Sequence, residues 1–399
     1  MIRLWQQFLL IFLAALAPFI GLLVRGVVWG ADSFAFLAVS SGQVKYAGML
    51  SSSPGFVSFL YLLNGNILLI GLSMFFLYFF CLIGLWVFAK RFFLIKTWFG
   101  FVKDVSWKYV FVVASVTPLF FIEFLRFEND FFGWTISFIA LGLFTLYLST
   151  NKTYLKLTSL FLACMLGFIA ILLWFPTIFV LLTSVFLLNW NSRQRNLIIL
   201  CFCLLFLVLF QGYVIGSFNI LFSSSKVVAE EIPLVGLIFV FHIVHYVKRV
   251  PKELFLYSLL ILGVGLLKSK YIFLSVPFLV LGLMEKEESQ GLIIRGDKIP
   301  LIPVCFFCLI GLICVSPFLY PTQIDLIEMN QAISLARDNN VVLYNSWGEG
   351  WIFVWLGYDT NYKISYPDPD WDNIEKPFIA YSKVVDLNCE KISTHTYKC

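Results

Sequence analysis

A succession of apolar stretches, each close to membrane length and set apart by short charged or polar breaks, constrains this chain more than any other feature. A bilayer core about 30 Å thick needs about 20 apolar residues per helix, and soluble cores do not string such runs together in series. Eleven candidate spans can be counted, centred near residues 14, 77, 117, 141, 164, 181, 206, 240, 261, 278 and 309. A composition of 60% hydrophobic and 13% charged residues excludes an ordinary soluble globule. The expected fold class is therefore an all-α polytopic membrane protein of about eleven transmembrane helices, occupying residues 1–318. A small α/β tail domain over residues 319–399 is expected to lie outside the cytoplasm. The first span, Leu4 to about Val24, is too long for a signal-peptide core and lacks a small-residue cleavage site, so it is expected to be retained.

Lys and Arg orient the spans. With the N-terminus inside, 16 of them fall in inner loops, among them Lys90, Arg91, Lys152, Arg193, Arg195, Lys248 and Arg249. Only 6 fall in the outer loops between spans: Arg25, Lys45, Arg126, Lys226, Lys268 and Lys270. The positive-inside rule then places the N-terminus in the cytoplasm and the C-terminus outside. The net charge of +5 is thus a product of topology, and no basic run of the kind that binds nucleic acid is present. Seven of the nine cysteines lie in spans, whereas Cys389 and Cys399 lie in the outer tail, where a disulfide is compatible with the compartment.

On this topology the acids at the ends of the spans share one outer face. Asp32 follows the first span, Glu128 and Asp130 stand in Arg126-Phe127-Glu128-Asn129-Asp130, and Glu230 with Glu231 closes the Ser-rich loop that begins at Ser223. A carboxylate at mid-bilayer costs roughly 2.5–3.5 kcal/mol, and less towards the surface, so acids placed there tend to have a partner or a task. Each alone could solvate a loop end; three groups on one face point to a single site. Carboxylate oxygens suit Mg²⁺ or Mn²⁺, which keep part of their coordination sphere for water and phosphate oxygens.

Lys268-Ser269-Lys270 lies on the same face, either as an anchor for a lipid phosphate or as ordinary snorkelling at a helix end. His242 and His245 share a helix face towards the opposite side, without a Glu or third ligand, and read as interfacial packing. There is no Gly-rich phosphate loop, nucleophile elbow or CxxC pair, so nucleotide-driven transport has no support. Loop 28–64 is unusually long, and its mixed apolar content suggests that it lies on the membrane surface. In the tail, Ile324, Ile327, Ile333 and Leu335 fall at roughly helical spacing. Val341–Tyr344 reads as a buried strand, which runs into Asn345-Ser346-Trp347-Gly348-Glu349-Gly350 and suggests a strand, Gly-rich turn and helix.

The order of these motifs resembles the GT-C glycosyltransferases, and within them the catalytic subunits of archaeal and eukaryotic oligosaccharyltransferase. Asp32 fits that family's first acid, and Glu128-Asn129-Asp130 fits its D-N-E element with the acids exchanged. Val227-Val228-Ala229-Glu230 with Pro233 fits S-V-S-E-x-x-P, and Lys270 falls where the family has an arginine facing the lipid pyrophosphate. Ser346-Trp347-Gly348-Glu349-Gly350 stands where W-W-D-Y-G would be, with Gly348 in place of the Asp that helps hold an acceptor hydroxyl. The resemblance implies an inverting transferase that moves a sugar or oligosaccharide from a polyprenyl- or dolichyl-phosphate-linked donor to a protein or glycolipid acceptor. It implies Mn²⁺ or Mg²⁺ held by Asp32, Glu128, Asp130 and Glu230, with Asp32 and Glu230 catalytic. Lys270 and Lys268 would hold the lipid phosphate, and Trp347 and Glu349 would shape the acceptor pocket. Two alternatives stand beside it: a GT-C enzyme adding a single sugar to a lipid-linked glycan, and a non-catalytic lipid-binding member of the fold.

Overall fold

A computed structural model describes residues 4–25, 36–37, 39–40, 53–64, 66–96, 106–107, 109–110, 113–114, 129–178, 180–181, 277–278, 323–346, 352–353, 356, 363–365, 371–382 and 387–399. The first part is helical: α1 Leu4–Arg25, α2 Pro54–Leu62, α3 Ile67–Lys96, α4 Asn129–Ser149 and α5 Thr153–Leu173. Among the described residues three helices are long and apolar enough to cross a membrane: Leu69–Lys90 within α3, and the whole of α4 and of α5. These lie where spans near 77, 141 and 164 are expected, and α1 covers the first. The remaining expected spans fall wholly or largely outside the described residues.

Such sequences become helices because hydrocarbon offers no partner to a backbone amide, so each segment must satisfy its own. The same demand governs the hydroxyls of α4, which is buried on most of its circumference. Thr135, Ser137 and Thr145 each donate to a carbonyl three or four residues back, at 2.7–3.0 Å. At the far end of the apolar stretch of α3, the Lys90 amine stands 5.0 Å from the centre of the Trp86 ring. A cation folded over an aromatic ring at the end of an apolar helix is typical of an interfacial anchor.

Ring contacts give the helix directions. Phe8 meets Trp86 at 5.6 Å, and Phe12 meets Phe79 and Phe75 at 5.7 and 5.4 Å, so α1 and α3 are antiparallel. α4 and α5 form an antiparallel hairpin, with Gly133 near the start of α4 against Trp174 just past the end of α5. By contrast α3 and α4 run the same way: Tyr78 packs near Phe131, and Gly84 near Phe138 and Gly142. The α3–α4 crossing depends on glycine, since a Cβ on Gly142 would fall 2.4 Å from the Gly84 Cα.

The tail folds as α6 Gln323–Asp338 against a sheet of β1 Val342–Ser346, β2 Lys363–Ser365, β3 Phe378–Tyr381, β4 Glu390–Lys391 and β5 Thr396–Lys398. The strand order is β2-β1-β3-β5-β4, with β2, β1 and β3 parallel and β5 antiparallel to both its neighbours. The strand expected at Val341–Tyr344 is present one residue later, and helical backbone is described again at Ile352–Phe353. The helix signalled by the spacing of Ile324, Ile327, Ile333 and Leu335 is α6; of these Ile333 is buried and Leu335 half-buried, whereas Ile324 and Ile327 are exposed. The buried face is instead Asp325, Glu328, Met329, Ala332, Ile333 and Ala336. Glu328 turns inward because its Oε1 accepts from the Ser393 hydroxyl and, at 2.6 Å, from the His395 backbone N–H. Cys389 and Cys399 are joined in a disulfide beneath the opposite face of the sheet. Buried apolar side chains of the helical part and of the α6 side of the sheet belong to one continuous cluster.

Candidate functional site

The end of the bundle where α4 begins gathers three separate stretches of chain. α4 opens with Asn129 and Asp130, so the last two residues of the acidic motif stand in the first turn of a buried helix. Asp130 is only 2% exposed. The carboxyl stands at the positive end of the helix dipole, which favours a carboxylate there. The second stretch is the end of the long first loop, where Ser53 precedes Pro54 at the first position of α2. The Ser53 hydroxyl does not cap its own helix; it accepts a 2.6 Å hydrogen bond from the Asn129 side-chain amide. The third stretch is the end of α5, where a Cβ on Gly55 would lie 3.1 Å from the Leu172 Cβ, so α2 packs closely across it.

Aromatic rings extend this junction to the Asp32 segment. Phe36 meets Phe56 edge-on at 4.9 Å, and Phe56 meets Phe132 at 5.2 Å. Phe59 adds a second contact to Phe132 at 5.0 Å. Phe36 is four residues after Asp32 and Phe132 two after Asp130. Four residues span at most about 14 Å, so the ring stack restricts how far the first acid can lie from the second group. Sequence reasoning noticed Asn129 only as the spacer between two acids and did not single out Ser53, Phe36, Phe56 or Phe132. The Ser-Pro pair at 53–54 is an ordinary helix-start signal that could have marked α2.

Of the proposed ligands, Asp130 lies within the described residues; Asp32, Glu128 and Glu230 lie outside them, as do Lys268, Lys270, Trp347 and Glu349. Among the described residues no three His, Cys, Asp or Glu side chains come together. Two of the outlying groups can be related to described neighbours. Pro277, seven residues after Lys270, accepts a 2.9 Å hydrogen bond from the Tyr109 hydroxyl, and the Phe278 ring packs 6.1 Å from Phe88 and 5.8 Å from Phe138. Phe278 is therefore held between α3 and α4.

Trp347 and Glu349 follow Ser346, the last residue of β1. β1 is the middle one of the three parallel strands, and open parallel sheets place ligands beyond the carboxyl ends of their strands. Asn345, Tyr381 and Thr396 stand in register across β1, β3 and β5 at that edge, and all three are buried. The motif thus leaves the sheet at the position where its topology favours a binding loop. No protein-family model matches this chain, and no curated protein matches it either.

Proposed function

We propose that the chain is an inverting membrane glycosyltransferase that moves a sugar or oligosaccharide from a polyprenyl- or dolichyl-(pyro)phosphate donor to a protein or glycolipid acceptor on the non-cytoplasmic face. The observation that carries this reading is the junction of Phe36, Phe56 and Phe132 together with the Asn129–Ser53 hydrogen bond. It joins Phe36, four residues after Asp32, to the start of α4 at Asn129 and Asp130, which supports one shared site.

Chain arithmetic supports bringing Lys270 to the same level. Lys270 precedes Phe278 by eight residues, and Asp130 precedes Phe138 by eight, while Phe278 and Phe138 are in contact. A helical segment running alongside α4 in the same direction, as the Lys and Arg distribution favours, would rise about 12 Å over those residues and end level with Asp130. The N-terminus is then cytoplasmic and the C-terminus outside. The Cys389–Cys399 disulfide supports that side for the tail, because disulfides persist in oxidising compartments.

The donor set of Asp32, Glu128, Asp130 and Glu230 is made of hard oxygens and fits Mn²⁺ or Mg²⁺. When bound, such an ion supplies positive charge against the leaving phosphate. Lys270 and Lys268 pair with the lipid phosphate, and the Ser-rich loop ahead of Glu230 covers the donor. Asp32 or Glu230 polarises the acceptor nucleophile and takes its proton. The new bond forms at the anomeric carbon as the bond to phosphate oxygen breaks on the opposite face, so configuration inverts. Trp347 and Glu349 shape the acceptor pocket. Sugar transfer from a labelled polyprenyl-phosphate donor pool to candidate peptides and glycolipids, in Mn²⁺ and in chelator, tests the reading. Metal-dependent transfer, lost in Asp32→Ala and in Glu230→Ala, is the expected result, and the labelled product identifies the acceptor class. Transfer indifferent to both substitutions contradicts the site; a bound donor with no transfer to any acceptor favours a non-catalytic lipid-binding role.

A further inference from the structure

We infer that the tail domain rests on the membrane interface through an edge of three isoleucines, Ile324 and Ile327 on α6 and Ile392 at the tip of the β4–β5 hairpin. They are 76%, 55% and 43% exposed, and they are the large apolar side chains left exposed among the described residues of the tail. The tip is held beside the first half of α6, because Ser393 and the His395 backbone both donate to Glu328, the residue after Ile327. Three side chains from distant parts of the tail are thereby brought to one end of the domain.

The outward face of α6 changes character along its length. After Ile324 and Ile327 it continues with Asn330, Gln331, Ser334, Arg337 and Asp338, all exposed and polar. Ser334 lies on the same side of the helix as Ile327 and about 10 Å farther along the axis. An outward face that is apolar at its start and polar beyond fits a helix whose first turn dips into an interface while the rest stands in water.

Chain length identifies the apolar partner. The last expected span ends near Pro317, and only six residues separate Pro317 from Ile324. They reach at most about 25 Å, so the isoleucine edge cannot leave the neighbourhood of the bilayer. Three side chains are also far fewer than the 20–30 residues a side of a standard protein interface, which buries about 1,600 Å² in all. A lipid surface has no such minimum, since it takes up single apolar side chains. The inference rests on the reading of the segment near 309 as a membrane span and is independent of sugar transfer.

Photocrosslinking tests it. The full chain, carrying p-benzoylphenylalanine at position 324, 327, 392 or 334 in turn, is reconstituted into phosphatidylcholine–phosphatidylglycerol vesicles, irradiated and analysed by mass spectrometry. Retention of the Cys389–Cys399 disulfide in each variant reports that the tail has folded. Lipid adducts at positions 324, 327 and 392, with none at 334, are expected. Adducts within the same chain, crosslinked dimers, or no lipid adduct at any of the three isoleucine positions would overturn the inference.

Discussion

Replacing Phe56 with alanine removes the ring that links the Asp32 segment to α4. Phe56 is fully buried and touches both Phe36 and Phe132. Each aromatic pair contributes about 0.5–1.5 kcal/mol, and the two together about 2 kcal/mol. The cavity left by the ring adds to this, giving the roughly 3–5 kcal/mol measured for Phe→Ala in cores. The lower end, about 3 kcal/mol, is the conservative figure. A loss of about 3 kcal/mol is a little over two decades in the local opening equilibrium. Hydrogen exchange followed by mass spectrometry should therefore show amides of 53–62 and of the first turns of α4 exchanging about a hundredfold faster in Phe56→Ala. Phe56→Leu, which keeps most of the volume, should lie close to the parent. The α6–sheet domain should be unchanged in both. Unaltered exchange over 53–62 in Phe56→Ala would refute the argument that these rings hold the loop against α4.

Other predictions follow from single contacts. Glu328→Ala leaves the Ser393 hydroxyl and the His395 N–H without their acceptor and should destabilise the β4–β5 hairpin by about 3 kcal/mol, whereas Glu328→Gln keeps an acceptor and should recover most of it. Protease sensitivity of residues 390–398 reads the difference. Gly142→Leu forces a side chain into the Gly84 backbone and should abolish the monodisperse detergent-solubilised protein, while Gly71→Leu, which meets nothing within 4 Å, should leave it intact. The pair Cys389→Ser and Cys399→Ser opens a loop of separation 10 and should lower tail stability by about 3 kcal/mol on the chain-entropy account, seen as an earlier denaturant midpoint for exchange in β3 and β5.

The helical architecture was legible because apolar run length answers to a single physical demand, that of the bilayer, and α3, α4 and α5 stand where the runs placed them. The tail was harder to read. Helical spacing marks α6 but not which residues turn inward: a hydrogen-bonded Glu328 outweighs Ile324 and Ile327 as an inward residue once Ser393 and His395 arrive from 65 and 67 residues away. No local pattern contains that partner. The same holds for the candidate site. The acid Asp130 was visible as a residue type at a helix start, whereas the Asn129–Ser53 bond and the Phe56–Phe132 contact each join positions 76 residues apart and can be seen only in three dimensions. Phenylalanine makes the problem worse: with 45 in the chain, nothing in the sequence separates the few that pack at the junction from those that line the surface of the bundle.

If acids from separate outer loops hold one divalent ion, as proposed, the chain must bind Mn²⁺ through them. The full chain in detergent is titrated with Mn²⁺ while the free ion is followed by electron paramagnetic resonance, for the parent and for Asp32→Asn, Asp130→Asn and Glu230→Gln. One saturable site in the parent, weakened or lost in each of the three variants, is the predicted result. Binding that is the same in all three variants as in the parent would contradict the shared site and, with it, the transfer chemistry built on it.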